Sequence, residues 1–318
     1  MARCVLVVAM LTCAMPLAAQ EYPVKPVRIL VGFAPGGGID IAVRALAPAL
    51  GAALGQQVIV DNRPGAGSNI AAEIAAKAAP DGYTLLLASI AITINPSLYG
   101  RLAYDPLRDF APIGQTGTMS NILVVHPVLP VKTVQEFVAL AKRQPGKLNY
   151  ATPGAGSSAH LAGELFRRVA GIDIAVVPYK GGGQAVIDAL AGHVPVLLGA
   201  VPVVMTHVAE GRFTALAVTT ARRAAAMPGV PTISESGFPG YEVNNWYGLV
   251  APAGTPRAII DRLAQATAAV MSSREAVKRL AELGHEAVTS TPDQFGTHIK
   301  SEVARWAKVI RETDVKVQ

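Results

Sequence analysis

Apolar and polar positions alternate in short runs along most of this chain, and the runs switch repeatedly between strand-like and helix-like periods. Val27 to Val31 is predicted as a strand. A helix is predicted over Asp40 to Leu54, which Pro48 is expected to kink. Val58 to Val60 and Thr84 to Ala88 read as strands, with a helix over Ile70 to Ala78 between them. Ile122 to Val125, Leu148 to Ala151, Ile174 to Val177, Val194 to Leu198 and Ala215 to Val218 read as further strands. Helices are predicted over Thr133 to Arg143, opened by the capping pair Thr133 and Glu136, and over Ser158 to Val169. Such alternation predicts an α/β fold with mainly parallel sheets.

Towards the C-terminus the pattern turns amphipathic. Thr255-Pro256 and Thr291-Pro292 each pair a capping residue with a proline suited to a first helical turn. They predict helices over Pro256 to Met271 and Pro292 to Arg311. No low-complexity linker divides the chain, so two lobes joined by crossing strands are expected, with Asn121 to Val125 and Glu242 to Val250 as the crossings.

The first residues carry a separate signal. Arg3 precedes an apolar run from Val5 to Leu17, and Leu17-Ala18-Ala19 offers a cleavage site, so residues 1–19 are expected to be an export signal. The run is short for a membrane anchor, and Met10-Leu11-Thr12 is a poor lipidation context for Cys13. Both cysteines, Cys4 and Cys13, fall inside this segment. The mature protein is therefore expected to have no disulfide, thiolate nucleophile or cysteine-bound metal.

The formal charge of +6 falls to +5 without Arg3, and the basic residues are scattered. That pattern gives no stripe for nucleic acid. It leaves only a weak attraction for anions.

Two segments stand out chemically. Phe33-Ala34-Pro35-Gly36-Gly37-Gly38-Ile39-Asp40 and Thr152-Pro153-Gly154-Ala155-Gly156-Ser157-Ser158 each leave a strand and open a helix. Glycines allow unusual backbone angles and close approach, and a helix N-terminus offers unpaired N–H groups with partial positive charge. Such a loop is an anion site that needs no arginine. Ser157 and Ser158 either cap their helix or face a ligand. A third turn, Val177 to Gly183, places Tyr179 either in a cleft or in the core.

Nucleotide and catalytic patterns fail. No third glycine follows at the dinucleotide spacing, and there is no Gly-Lys-Ser/Thr loop. No Gly-x-Ser-x-Gly elbow is present. No two histidines are spaced i, i+4 as in a zinc helix. A Ser157–His160 hydrolase pair is the remaining enzymatic alternative. No cofactor is expected.

Taken together, ordered stretches across the mature chain resemble the periplasmic receptors of tripartite tricarboxylate transporters, the Bug or TctC-like family. They include Phe-Ala-Pro-Gly-Gly-Gly (33–38), Asp-Asn-Arg-Pro-Gly-Ala-Gly (61–67), Ala-Pro-Asp-Gly-Tyr-Thr-Leu-Leu (79–86), Gly-Ser-Ser-Ala-His-Leu-Ala-Gly-Glu-Leu-Phe (156–166), Val-Pro-Tyr-Lys-Gly (177–181) and Ala-Pro-Ala-Gly-Thr-Pro (251–256). The resemblance implies a two-lobed, type II Venus-flytrap fold. Each lobe would be a mainly parallel sheet flanked by helices, with two crossing strands as hinge. It implies lobes of 20–120 plus 245–318 and of 121–244. It implies a small organic acid, whether a di- or tricarboxylate or an aromatic carboxylate, gripped through Phe33, Ala34, Pro35, Gly36, Gly37, Gly38 and Asp40 of the first loop. Thr152, Gly154, Gly156, Ser157 and Ser158 of the second loop join them, with Ser89 and Ile90, Tyr179 and Gly199 nearby. A periplasmic monomer serving a two-component membrane permease follows, with a ligand sensor for a signalling system as the alternative.

The sequence departs from that family at Ile39, where a hydroxyl residue is usual. It departs again at Gly199 and Ala200, where an acidic residue and Asn are frequent. Side chains that could bind a ligand ammonium or hydroxyl are absent there, which predicts that an amino-acid ligand is not favoured.

Overall fold

The structure is a computed structural model, and residues 22–313 are described. The predicted export signal and both cysteines lie outside the described residues.

β1 (Val27–Val31) lies between β2 (Val58–Asn62) and β3 (Thr84–Ser89), parallel to both. Its apolar residues, Val27 and Ile29 to Val31, are buried and only Arg28 is partly exposed, as suits a parallel strand covered on both faces. α1 (Gly38–Leu54) follows β1 and continues as one helix through Pro48, the position where a kink is expected. α2 (Asn69–Ala76) and α3 (Ala91–Leu98) complete the first set of connections.

β4 (Phe110–Val125) is far longer than the four residues predicted, and it joins two sheets. Phe110 to Ser120 pairs antiparallel with β9 (Asn244–Pro252), which in turn pairs with β3. Beyond that point, Asn121 to Val125 pairs with β7 (Val196–Ala200) and β8 (Thr214–Val218). β5 (Asn149–Thr152) lies parallel between β7 and β6 (Ala175–Pro178). Thus β2-β1-β3 and β6-β5-β7 are parallel as predicted, and the strands at the junction between the lobes are antiparallel. β10 (Glu286–Ala287) adds a short antiparallel edge to β4.

In the second lobe, α4 (Val134–Arg143) opens on the predicted cap, with the Glu136 amide donating to Thr133 Oγ1 at 3.1 Å. α5 (Ser158–Ala170), α6 (Gly182–Leu190) and α7 (Val201–Ala209) then follow β5, β6 and β7. The chain returns through β9 to α8 (Arg257–Met271), α9 (Arg274–Glu282) and α10 (Pro292–Thr313). Thr291 caps α10 as expected, and Gln294 returns a bond to the Thr291 amide. Thr255 does not cap α8; its hydroxyl donates to the Pro252 carbonyl at 2.7 Å, and Pro256 takes the cap position.

α10 braces the return crossing. Glu302 is buried and accepts from the indole N–H groups of Trp246 (3.2 Å) and Trp306 (3.0 Å). Arg305 pairs with Glu302 and donates to the Glu242 carbonyl just before β9. Among the described residues no helix is long and apolar enough to cross a membrane.

Candidate functional site

The two glycine loops share one backbone plan. Gly36 (φ 78°) and Gly156 (φ 75°) each take the left-handed conformation that glycine adopts without strain. Each next residue is the helix N-cap, with nearly equal angles: Gly37 at φ −75°, ψ 162° and Ser157 at φ −73°, ψ 159°.

Each loop is latched by a side chain from the first turn of its helix. The Gly36 amide donates to Asp40 Oδ2 at 2.9 Å. The Gly156 amide donates to His160 Nδ1 at 3.1 Å. Asp40 is 2 % exposed, and its carboxylate also accepts from Arg44 Nε and Asn62 Nδ2. Asn62 in turn donates to the Phe33 carbonyl, so β2 pins the start of the first loop. His160 is equally buried, and burial pushes its imidazole below the ordinary value. Because Nδ1 accepts from an amide, the neutral ring carries its proton on Nε2.

Five helices begin on one buried chamber between the lobes. α1 and its cap contribute Gly37, Gly38 and Ile39; the turn from β3 into α3 contributes Ser89 and Ile90. α5 contributes Ser157, Ser158 and Ala159; α6 contributes Gly181 and Gly182; α7 contributes Ala200 and Val203. Phe33, Ala34, Pro153, Met119, Asn121 and Asn245 close the walls.

None of these residues is charged. The chamber is small, about 50 Å³. It adjoins a more exposed cavity of about 430 Å³ that shares Phe33, Ala34, Pro153 and Gly181 with it. No side chain caps α1, α6 or α7, so their first amides are left for other acceptors, while at α3 the Ala91 amide is taken by Ser89 Oγ. Each helix start carries about half a positive charge. The arrangement therefore suits an anion that buries its charge against main chain.

The predicted residues divide accordingly. Phe33, Ala34, Gly37, Gly38, Ser89, Ile90, Ser157 and Ser158 line the chamber. Gly154 and Tyr179 line the outer cavity, where the Tyr179 hydroxyl donates to Asp188 at 2.6 Å. Pro35 and Gly36 face solvent at the loop tip, and Asp40 is spent on the latch. Thr152 and Gly156 are buried beneath the second loop, outside the lining of either cavity. Gly199 lies within β7 and leaves its neighbour Ala200 to face the chamber.

Ser157 does cap α5: it accepts from the His160 amide and donates to the Gly154 carbonyl. Its hydroxyl is thus committed elsewhere than to the His160 ring. Among the described residues no cluster of three acidic, histidine or cysteine side chains could hold a metal ion.

The sequence reading missed Met119, Val203, Asn121 and Asn245. Asn121 donates to Ser158 Oγ at 3.1 Å, and Asn245 is 4 % exposed. No local signal marked them, because which face of a crossing strand meets the chamber depends on how the two sheets fold towards each other.

The profile of the family "Tripartite tricarboxylate transporter family receptor" matches residues 42–315. The protein BugT of Bordetella pertussis is 38 % identical over 96 % of this chain and 94 % of its own length. A solved structure described as R. palustris Rpa4515 with adipate is 35 % identical, with a TM-score of 0.89 over 93 % of this chain and 99 % of that one. MatC from Rhodopseudomonas palustris with bound malate is 31 % identical, with a TM-score of 0.86 over 91 % of this chain and 100 % of the other. By sequence across nearly its full length, and by a fold shared with solved periplasmic binding proteins, the chain belongs to the tripartite tricarboxylate transporter receptor family.

Proposed function

We propose that this protein captures a small organic acid between its lobes in the periplasm and delivers it to a two-component membrane permease. The observation that carries the reading is the meeting of five helix N-termini from both lobes on one uncharged chamber. A carboxylate there gains charge-assisted bonds from main-chain amides. The adipate and malate bound to the two relatives support the same ligand class.

The chamber offers no carboxylate to an ammonium group, so amino acids are expected to be rejected. Residues 20–120 with 245–318, and residues 121–244, are proposed as the two bodies that close on the ligand. The molecule binds its ligand unchanged: Ser157 and His160 serve loop structure, which leaves no nucleophile–base pair in the chamber.

Isothermal titration and thermal shift against a panel of mono-, di- and tricarboxylates test this. At a hundred times its dissociation constant, the right acid stabilises the fold by about 2.7 kcal/mol. A panel in which no carboxylate shifts the melting point, or in which aspartate or glutamate binds best, overturns the reading.

A further inference from the structure

We infer that Asn245 donates its side-chain amide to the carboxylate of the bound acid, adding a side-chain grip to a chamber whose other free donors belong to the main chain of helix starts. This rests on the carboxylate-binding reading above. Asn245 stands near the start of β9, where the chain crosses between the lobes, and is paired in register with Met119 of β4. Side chains directly opposite one another on antiparallel strands share a face of the sheet. Met119 points at the start of α1: a Cβ added at Gly38 would lie 2.6 Å from its sulfur. Asn121, two residues along the same strand, lines the chamber as well. Trp246, the next residue after Asn245, takes the opposite face and packs on Glu302 and Phe295 of α10. The Asn245 side chain is thereby aimed into the chamber that it lines.

Its two polar atoms differ in their surroundings. Oδ1 is sealed from any surface and has no partner. Nδ2 is not sealed, and among the described residues it has no partner either. Turned over, the amide would seal two unpaired N–H donors in place of one oxygen, the rarer arrangement in folded proteins. Elsewhere in the chamber Asn121 donates to Ser158 Oγ, Ser157 caps α5, and Ser89 Oγ accepts from the Ala91 amide. Asn245 is the chamber amide whose donors the protein does not use.

Charge decides what meets that donor. The helix starts around the chamber are positive and no side chain of the lining is charged. An ionised carboxylate offers about four acceptor positions, enough for an Asn245 proton beside the loop amides. Asn245 belongs to a crossing strand and to neither glycine loop, so it holds the acid from the floor while the loops hold it from the sides.

Calorimetry with succinate, malate, adipate, citrate and benzoate first finds the acid that the wild-type protein binds most tightly. Asn245→Ala is expected to weaken that acid about ten- to a hundredfold. Asn245→Asp keeps the shape but sets a like charge against the carboxylate, so its loss at pH 7.5 is expected to be larger. The ratio of its affinity to that of the wild type should rise as the pH falls to about 5, because the new carboxyl takes up a proton. A packing role alone would not move that ratio. Ligand-free melting temperatures check the fold of both variants. A crystal structure of the wild-type protein with the same acid should place Nδ2 about 2.7–3.2 Å from a carboxylate oxygen. Asn245→Ala binding as tightly as the wild type, Asn245→Asp doing so at pH 7.5, or a complex in which Nδ2 meets no carboxylate oxygen each overturns the inference and leaves the carboxylate reading standing. No binding by any of the acids overturns the carboxylate reading, and this inference falls with it.

Discussion

Asp40 and His160 occupy equivalent stations in the two lobes, each accepting a hydrogen bond from the amide four residues before it and so fixing its glycine loop. One latch is a carboxyl group anchored by Arg44 and Asn62, and the other is an imidazole that burial keeps neutral. Asp40→Ala leaves the Gly36 amide, Arg44 and Asn62 without their shared acceptor. A loss of about 1–3 kcal/mol of stability is expected, with weaker acid binding, by urea denaturation and calorimetry. His160→Ala is expected to weaken binding through the second loop alone. Unchanged affinity in both variants would show that the loops hold their shape without latches.

Acid should destabilise the fold through its buried histidines. Burial lowers the pKa of His160 and His298, and pushes that of His285 down to about 4. Unfolded histidine takes up its proton near 6.5. The folded-state preference for neutral rings is therefore complete above that pH and is lost as the pH falls towards 4. His285 alone accounts for roughly 3 kcal/mol across this window, taking 1.36 kcal/mol per unit. Melting temperatures at pH 7 and 4.5 should differ less in His285→Gln than in the wild type.

Ser157 is a cap, so its removal should register as lost helix stability. Ser157→Ala is expected to cost about 1 kcal/mol, and Ser157→Gly only a few tenths. Chemical denaturation of the three proteins gives the ranking directly. Ser157→Ala matching the wild type would remove the capping role.

The proposed closure is expected to be limited by the near approach at Gly181. A Cβ there would lie 2.8 Å from Ala34 Cβ in the opposite lobe, and the residue sits at φ 137°. Gly181→Ala should act as a wedge. If it cuts the closed population to one molecule in ten, the apparent dissociation constant rises about tenfold. Adding Ala34→Gly removes the opposing methyl and should restore part of the affinity. Small-angle scattering with ligand would report the open lobes independently.

Much of this architecture was legible because strand, glycine turn and helix start follow one another locally. The two loops, the caps at Thr133 and Thr291, and the helix after each loop needed no long-range knowledge. β4 was read only at Ile122 to Val125 because Gly114, Gly117 and the polar residues between Gln115 and Asn121 weaken its strand signal. Its pairing with β9 supplies what propensity lacks. α3 escaped because Pro96 interrupts its pattern. Asn121 and Asn245 were unreadable as lining residues because nothing local shows which face of a crossing strand will meet a cavity. That depends on two sheets folding towards each other.

The uncharged chamber also bears on how such proteins diverge. Peptide amides are encoded by no particular side chain, and apart from proline no substitution deletes one. The grip on the acid is thereby sheltered from drift, while Ile39, Met119, Ala200 and Val203 remain free to vary around it. A duplicated gene can then acquire a new diet by altering a few wall positions, without first losing and rebuilding its hold on the shared carboxylate.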